Sequence, residues 1–434
     1  MIVDGQLLRF RVANHRSLRD EQELSFIADG DGDARLVHPD GLDEAVLPVC
    51  AIYGANASGK TNVIDALAFM RSAVAYSQRM WEPIGGVPRR SFALGVDAHT
   101  PSTFVAEMMI EGARYEYGFA VDDEVVREEW LRAWPNGRKQ EWFSRDEQTF
   151  EIGRSLHGEN KVIEALVRPN SLFLSAAAQN NHEQLTPIFQ WFAARLNPLT
   201  LSVDRVFSSS VPQWWGQFAA PTADDDGARS ARERARELLA AADLGIEDFQ
   251  VVEADRAVPE ASADGSEEPV SSRRRRGYRL SFAHRTSVEP RWLDLRDEST
   301  GTRALVGLLP TLLPLLAEGG LLAIDEFNSL HPMLALALVQ IFQDPARNPR
   351  GAQLLFNTHE SSLLGNLLTD PAPLRRDQVW LTEKDRDGAT HLYPLTDYTP
   401  RTNENLQRGY LQGRYGAVPF LGVFGAEGAV REST

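Results

Sequence analysis

Tyr53 to Thr61, YGANASGKT, closes an unbroken apolar run and opens a helical pattern. Upstream, LPVCAIYG (47–54) is continuously apolar, the composition of a strand buried on both faces. Downstream, TNVIDALAFMRSAV (61–74) places Val63, Leu67, Met70 and Val74 on one helical face. Strand, glycine turn and helix form the setting of a phosphate-binding loop. Gly54 and Gly59 let successive backbone N–H groups point inward, and the helix N-terminus adds partial positive charge. Ala55, Asn56, Ala57 and Ser58 supply the body of the cradle. The spacing gives Lys60 the β and γ phosphates of ATP and gives the Thr61 hydroxyl a place on Mg²⁺.

A second apolar run, LLAIDEFNSLHP (321–332), stops at two adjacent acids, Asp325 and Glu326. Burying such charge is costly without a partner. Beside a phosphate loop the cost is explained: both acids aim at the metal and the γ-phosphate. Asp325 is expected to hold Mg²⁺, directly or through water, and Glu326 to polarise the attacking water.

Further candidates follow from position. In ESTGTR (298–303), Ser299 is placed to cap a helix, and Gly301 leaves its first amides open to an anion. His359 ends the strand pattern LLFNTH. Gln179 follows SLFLS (171–175), read as a short strand. Arg16 sits in NHRSL (14–18) just after the first strand.

In this order the motifs NHRSL, GANASGKT, ESTGTR, LLAIDEFNSLHP and FNTHE resemble the ABC-like ATPases related to the SMC/RecF and OLD groups. The tail segments QVWLTEKDRDGATHLYPL and NLQRGYLQGRYGAVP resemble the RloA/AbiL-type ATPases of bacterial phage-defence operons. The likeness spans roughly residues 1–75 and 290–420. It implies that Ser299 and Gly301 of one protomer close over the γ-phosphate held by another. It further implies that His359 senses that phosphate, that Asn328-Ser329-Leu330 lies across the dimer interface, and that Arg16 touches nucleotide. It also implies a Q-loop glutamine at Gln179, contacting Mg²⁺ or the attacking water. The implied partners are a second copy of the chain, or a higher homo-oligomer, and an effector, often a nuclease, encoded nearby.

The expected fold is α/β: a P-loop NTPase of ABC/SMC-like type, with a mixed β-sheet, an antiparallel β-meander lobe and a helical insertion. The expected division is an N-terminal ATPase lobe (1–200), an insertion (201–290), a C-terminal ATPase lobe (291–400) and a tail (401–434). Alternation at Phe104, Ala106, Met108 and Ile110, then at Tyr115, Tyr117, Phe119 and Val121, marks the meander. ADDDGARSARERARELLAAADL (223–244) reads as a helix. EADRAVPEASADGSEEPVSSRRRR (253–276), poor in apolar residues, reads as a mobile loop. A long helix is expected over 301–317, kinked at Pro310 and Pro314.

Composition sets limits. At 434 residues the chain exceeds a single core. No apolar run of about 18 residues and no signal-peptide pattern is evident, so a cytoplasmic protein without a membrane span is expected. Cys50, the only cysteine, excludes internal disulfides and reads as a buried inert thiol. A net charge of −16 disfavours sequence-blind binding to a phosphate backbone, although Arg273–Arg276 is a local basic run. A RecF/SMC-like DNA-maintenance ATPase is the alternative reading. The carboxylates Glu383, Asp385 and Asp387 superficially suit a nuclease metal site, but Asp387-Gly388 signals a hairpin turn. Asp29–Asp33 reads as a surface loop, since it lacks the glutamate of a calcium loop.

Overall fold

A computed structural model of the chain describes residues 5–95, 100–201, 210–219, 226–241, 245–259, 272–286, 289–398 and 405–418. In chain order its N-terminal half comprises β1 (Gly5–Ala13), β2 (Gln22–Ser25), β3 (Val49–Gly54), α1 (Lys60–Met80), β4 (Ser102–Ile110), β5 (Ala113–Val121), β6 (Val126–Trp134), β7 (Gln140–Asp146) and β8 (Thr149–Ile152). Then come α2 (Asn160–Leu166), α3 (Phe173–Gln179), α4 (Thr186–Gln190) and β9 (Leu196–Thr200). Next come α5 (Ser210–Trp215), α6 (Asp226–Ala241), β10 (Ile246–Pro259), β11 (Ser272–His284) and β12 (Arg291–Asp294). The remainder is α7 (Thr300–Glu318), β13 (Leu321–Asp325), α8 (Pro332–Gln343), β14 (Gln353–Asn357), β15 (Val379–Lys384), β16 (Thr390–Pro394) and α9 (Leu406–Leu411).

The described strands form three sheets. A six-stranded sheet runs β16-β15-β3-β14-β13-β9, parallel throughout except for the β15–β16 hairpin. A seven-stranded antiparallel sheet runs β2-β1-β4-β5-β6-β7-β8, and a three-stranded sheet runs β10-β11-β12. The strand carrying the glycine turn thus lies one strand away from the strand carrying the two acids.

Continuous apolar runs are needed because the six-stranded sheet has a core on each face. Cys50, Ile52, Leu321, Ala323 and Leu355 point into the core shared with α1 and the meander. Val49, Ala51, Tyr53, Leu322, Ile324, Leu354 and Phe356 point into the core shared with α7 and α8. All are fully buried, so truncating one of the larger aliphatics to alanine costs about 2–5 kcal/mol.

The expected meander is present, with the β4–β5 turn at Glu111 (φ 50°) and Gly112 (φ 76°), the left-handed pair of a tight hairpin. The helices expected at 223–244 and 301–317 appear as α6 and α7, and α7 runs as one helix through Pro310 and Pro314. By length and composition α7 could cross a membrane, yet 61% of its apolar window is buried inside the molecule. Its apolarity is that of a core helix, in keeping with the helix expected over 301–317.

Two expectations are corrected. SLFLS is not a strand: from Phe173 it belongs to α3, whose following alanines favour helix. The edge strand beside β13 is instead β9, Leu196–Thr200, whose Pro198 hides its strand character. Nor is 253–276 a loop throughout. Residues 254–259 pair with 272–277 as the outer part of the β10–β11 ribbon, which has few apolar residues to announce it. The side chains of Arg273–Arg276, residues 260–271 and, in the tail, residues 401–404 and 419–434 lie outside the described residues.

Candidate functional site

β3 ends at Gly54 and the chain turns over residues 55–59 into α1. Ala57 (φ 63°) and Gly59 (φ 106°) both take left-handed backbone. A Cβ on Gly59 would also sit 2.1 Å from Thr390 Oγ1, so only glycine fits there. Ser58 is buried and its hydroxyl meets Thr382 Oγ1 at 2.6 Å, while Asn56 and Ala57 stay exposed at the cavity mouth. Lys60 folds back to donate to the carbonyls of Gly54 and Ala55, both at 2.8 Å. Its partial burial pushes the ammonium pKa down to about 8, with Asp325 opposing the shift. A phosphate anion in the loop would stabilise the charge that burial disfavours.

The two acids arrive from β13. Thr61 Oγ1 donates to Asp325 Oδ1 at 3.0 Å, which brings the two expected metal ligands together from positions 264 residues apart. A hydroxyl and a carboxylate are hard oxygen donors of the kind Mg²⁺ takes alongside water and phosphate. Asp325 is 8% exposed and also accepts from the Asn357 side-chain amide. Glu326 lies exposed in left-handed backbone (φ 61°), its N–H bonded to Asn357 Oδ1 at 2.7 Å. A non-glycine residue there costs about 1–3 kcal/mol, and the Asn357 bond offsets part of it. The same backbone turn aims the carboxylate away from the sheet into the cavity.

His359 lies two residues past the end of β14. Its pKa is lowered, first by partial burial and then by Lys60, so the imidazole is held toward its neutral form. Asn56, Lys60, Thr61, Asp325, Glu326 and His359 line one cavity of about 360 Å³, joined by Asn328, Asn357 and Lys384. Asn357 and Lys384 had no role in the sequence reading. Their only signal was position: each closes a strand that flanks β3 on the sheet's C-terminal edge.

Ser299 and Gly301 do not line that cavity. Ser299 caps α7, its hydroxyl accepting from Thr302 N at 3.1 Å. A Cβ on Gly301 would meet only Ser299 Oγ, at 3.8 Å, and no left-handed backbone requires glycine. The chain's own packing therefore gives no reason for a helix-weakening residue in this turn.

Two further candidates also stand apart from the lining. Gln179 is the last residue of α3, not the end of a sheet strand, and is absent from the cavity lining. Arg16 is likewise absent from the lining, because Asp65 on α1 takes its guanidinium through two hydrogen bonds. Burial raises the Asp65 pKa, but bonds from His15 and Arg16 outweigh it and hold the carboxyl below its ordinary range. The NHRSL turn instead braces the loop: Asn62 Nδ2 donates to Ser17 Oγ at 2.6 Å.

The suspected nuclease carboxylates do not converge. Glu383 Oε1 accepts the Ala417 N–H at 2.6 Å, while Asp385 Oδ1 closes the hairpin turn by accepting from Asp387 N and Ala389 N. Asp33 is tied to Arg35 and Arg375. The Cys50 thiol is buried, and burial raises its pKa well above the ordinary value.

A family profile described as "AAA domain, putative AbiEii toxin, Type IV TA system" matches residues 49–365, from the strand before the glycine turn to beyond His359. The chain belongs to this AAA-domain family. Membership agrees with the site: the matched segment contains the loop, the acid-tipped strand and the capped helix that follows the insertion. It supports a nucleotide-binding ATPase of AAA type and is coarser than the RloA/AbiL likeness. No curated protein matches the chain. Among solved structures, the SMC head bound to the C-winged helix domain of ScpA aligns at 13% identity, TM-score 0.41, covering 89% of this chain and 96% of that one. The SMC head domain from Thermotoga maritima aligns at 12% identity, TM-score 0.40, with 90% and 98% covered. A Pyrococcus furiosus SMC head bound to the C-terminal domain of ScpA gives 12%, 0.39, 95% and 99%. Likenesses this distant carry no functional information.

Proposed function

We propose that this AAA-domain protein binds and hydrolyses ATP between two copies of the chain and works as a nucleotide-driven switch on an effector protein, in the manner of RloA/AbiL-type phage-defence ATPases. The observation that carries the reading is the meeting of Thr61 with Asp325 beside an outward-turned Glu326 in the cavity above the glycine loop.

In this reading Gly54–Thr61 cradles the phosphates and Lys60 neutralises the β–γ region. Thr61 and Asp325 would hold Mg²⁺, which would supply positive charge to stabilise the phosphates. Glu326 takes a proton from water as its oxygen bonds to the γ-phosphorus. The β–γ bridging bond breaks, giving ADP and phosphate. His359, near neutral, orients the γ-phosphate by hydrogen bonding.

The opposite wall is supplied by a second copy. Ser299 and the open amides at Gly301 present an anion-ready helix start away from the chain's own cavity, and the unforced glycine leaves room for close approach. Closure would reach the insertion directly, since Glu298, just before Ser299, is buried and bonded to His284 of β11 at 2.6 Å. The three-stranded sheet would then move with the nucleotide state and report it to the effector.

Glu326→Gln tests the core of the reading. ATP binding should persist, turnover should fall by roughly 10²–10⁴, and a dimer should accumulate with ATP in light scattering. Turnover at the wild-type rate would remove Glu326 from the chemistry.

A further inference from the structure

Lys384 is the last residue of β15, which pairs parallel with β3 in the register Thr382↔Gly54. Lys384 therefore runs on past the end of β3, alongside the glycine loop. A set of hydroxyl contacts joins this hairpin to the loop. Thr382 Oγ1 meets Ser58 Oγ at 2.6 Å, Thr390 Oγ1 donates to the Ser58 carbonyl at 2.8 Å, and Ser17 Oγ meets Thr390 Oγ1 at 2.7 Å. Thr390 is the cross-strand partner of Lys384. The lysine is thus carried on backbone fixed to the phosphate cradle.

Its side chain lines the same cavity as Lys60 and Glu326 and is otherwise solvent-exposed. Among the described residues its ammonium has no hydrogen-bond or ion-pair partner, whereas Lys60 is held by two carbonyls and Lys161 by Glu164. Only four lysines occur in the chain, against forty-one arginines by difference from the 45 basic residues. One of those four is thus an unpaired cation at the rim of an anion cradle.

Resting on the nucleotide reading above, the geometry points to Lys384 as a second phosphate-binding lysine. It grips the phosphate chain of a nucleoside di- or triphosphate on the side away from the bond that breaks. The sheet order decides the side. β14 and β13, carrying His359, Asp325 and Glu326, flank β3 on one side, and β15 flanks it on the other. A cation there meets phosphates shared by ATP and ADP. It contributes to affinity for both, without distinguishing them.

The test measures ATP and ADP affinity of the full chain with Mg²⁺ by calorimetry, for wild type, Lys384→Ala, Lys384→Arg and Lys60→Ala. Lys384→Ala should weaken both nucleotides by about tenfold, the scale of a lost charge-assisted hydrogen bond, and Lys384→Arg should restore most of it. Unchanged affinities for Lys384→Ala, with Lys60→Ala inactive in binding, would overturn this role and leave the nucleotide site standing. Weakening of ATP alone would place the ammonium on the γ-phosphate and overturn the assigned side. Wild-type protein that binds neither nucleotide would overturn both readings.

Discussion

The side-chain oxygen of Asn357 accepts the backbone N–H of Glu326 at 2.7 Å, and its amide nitrogen donates to Asp325. One residue of β14 thereby fixes both acids at the end of β13: the buried one by its side chain, the exposed one by its left-handed backbone.

Asn357→Ala should keep nucleotide affinity near that of wild type while slowing turnover roughly ten- to hundredfold. This follows from about 1–3 kcal/mol of backbone strain no longer held in place. Asn357→Asp should be worse, because it sets a second carboxylate against Asp325. Steady-state turnover beside equilibrium binding separates the two effects, and an unaltered rate for Asn357→Ala would show that Glu326 needs no such support.

Lys60 gives the site a pH signature. Its folded pKa, about 8, lies below that of an exposed lysine, so in the free protein about half the molecules have lost this proton by pH 8. Phosphate favours the charged form, so nucleotide binding at pH 8–9 should take up a fraction of a proton, falling to none near pH 6.5. Calorimetry in buffers of differing ionisation heat reads this directly, and Lys60→Ala should abolish it. The sign for stability is also fixed. The unfolded chain keeps its proton to higher pH, so this residue adds relative stability as pH rises through about 8 toward the ordinary lysine range.

Gly301→Ala separates folding from assembly. The added methyl meets only Ser299 Oγ at 3.8 Å, and alanine favours helix over glycine by about 1 kcal/mol. Thermal stability should hold or rise, while ATP-dependent dimerisation and turnover fall. Mixing Lys60→Ala protein with a Ser299-defective variant should recover activity that neither has alone, since one composite site would be whole. Absence of any recovery, with both variants folded, would argue for a site complete within one chain.

The charge balance bears on the rival DNA-maintenance role. At −16 net, duplex binding at physiological salt should be weak and should not depend on ATP. An electrophoretic shift that is tight, salt-sensitive and lost on neutralising Arg273–Arg276 would promote that role over the effector switch.

Much of the site was legible because its chemistry is local in sequence. The glycine turn between an apolar strand and a helical stripe needs only eight consecutive residues, and LLAIDE declares its own burial and its own charge. The meander declared itself by alternation, and the β15–β16 hairpin by Asp387-Gly388. Gln179 and Arg16 stand outside the cavity lining for a common reason: short polar motifs take their meaning from whichever element lies opposite. Helix-forming alanines claimed the stretch before Gln179, and Asp65 on α1 claimed Arg16.

By itself the sequence determined that a phosphate cradle and an acid-tipped buried strand exist, because dihedral demands and desolvation cost are written in neighbouring residues. Only the tertiary structure decided that they share one cavity. It also decided that Asn357 and Lys384 join them there, and that Ser299 and Gly301 stand apart from it. Those relations depend on strand order and register. They are set by how two hydrophobic cores pack against opposite faces of one sheet, and not by any local run of side chains.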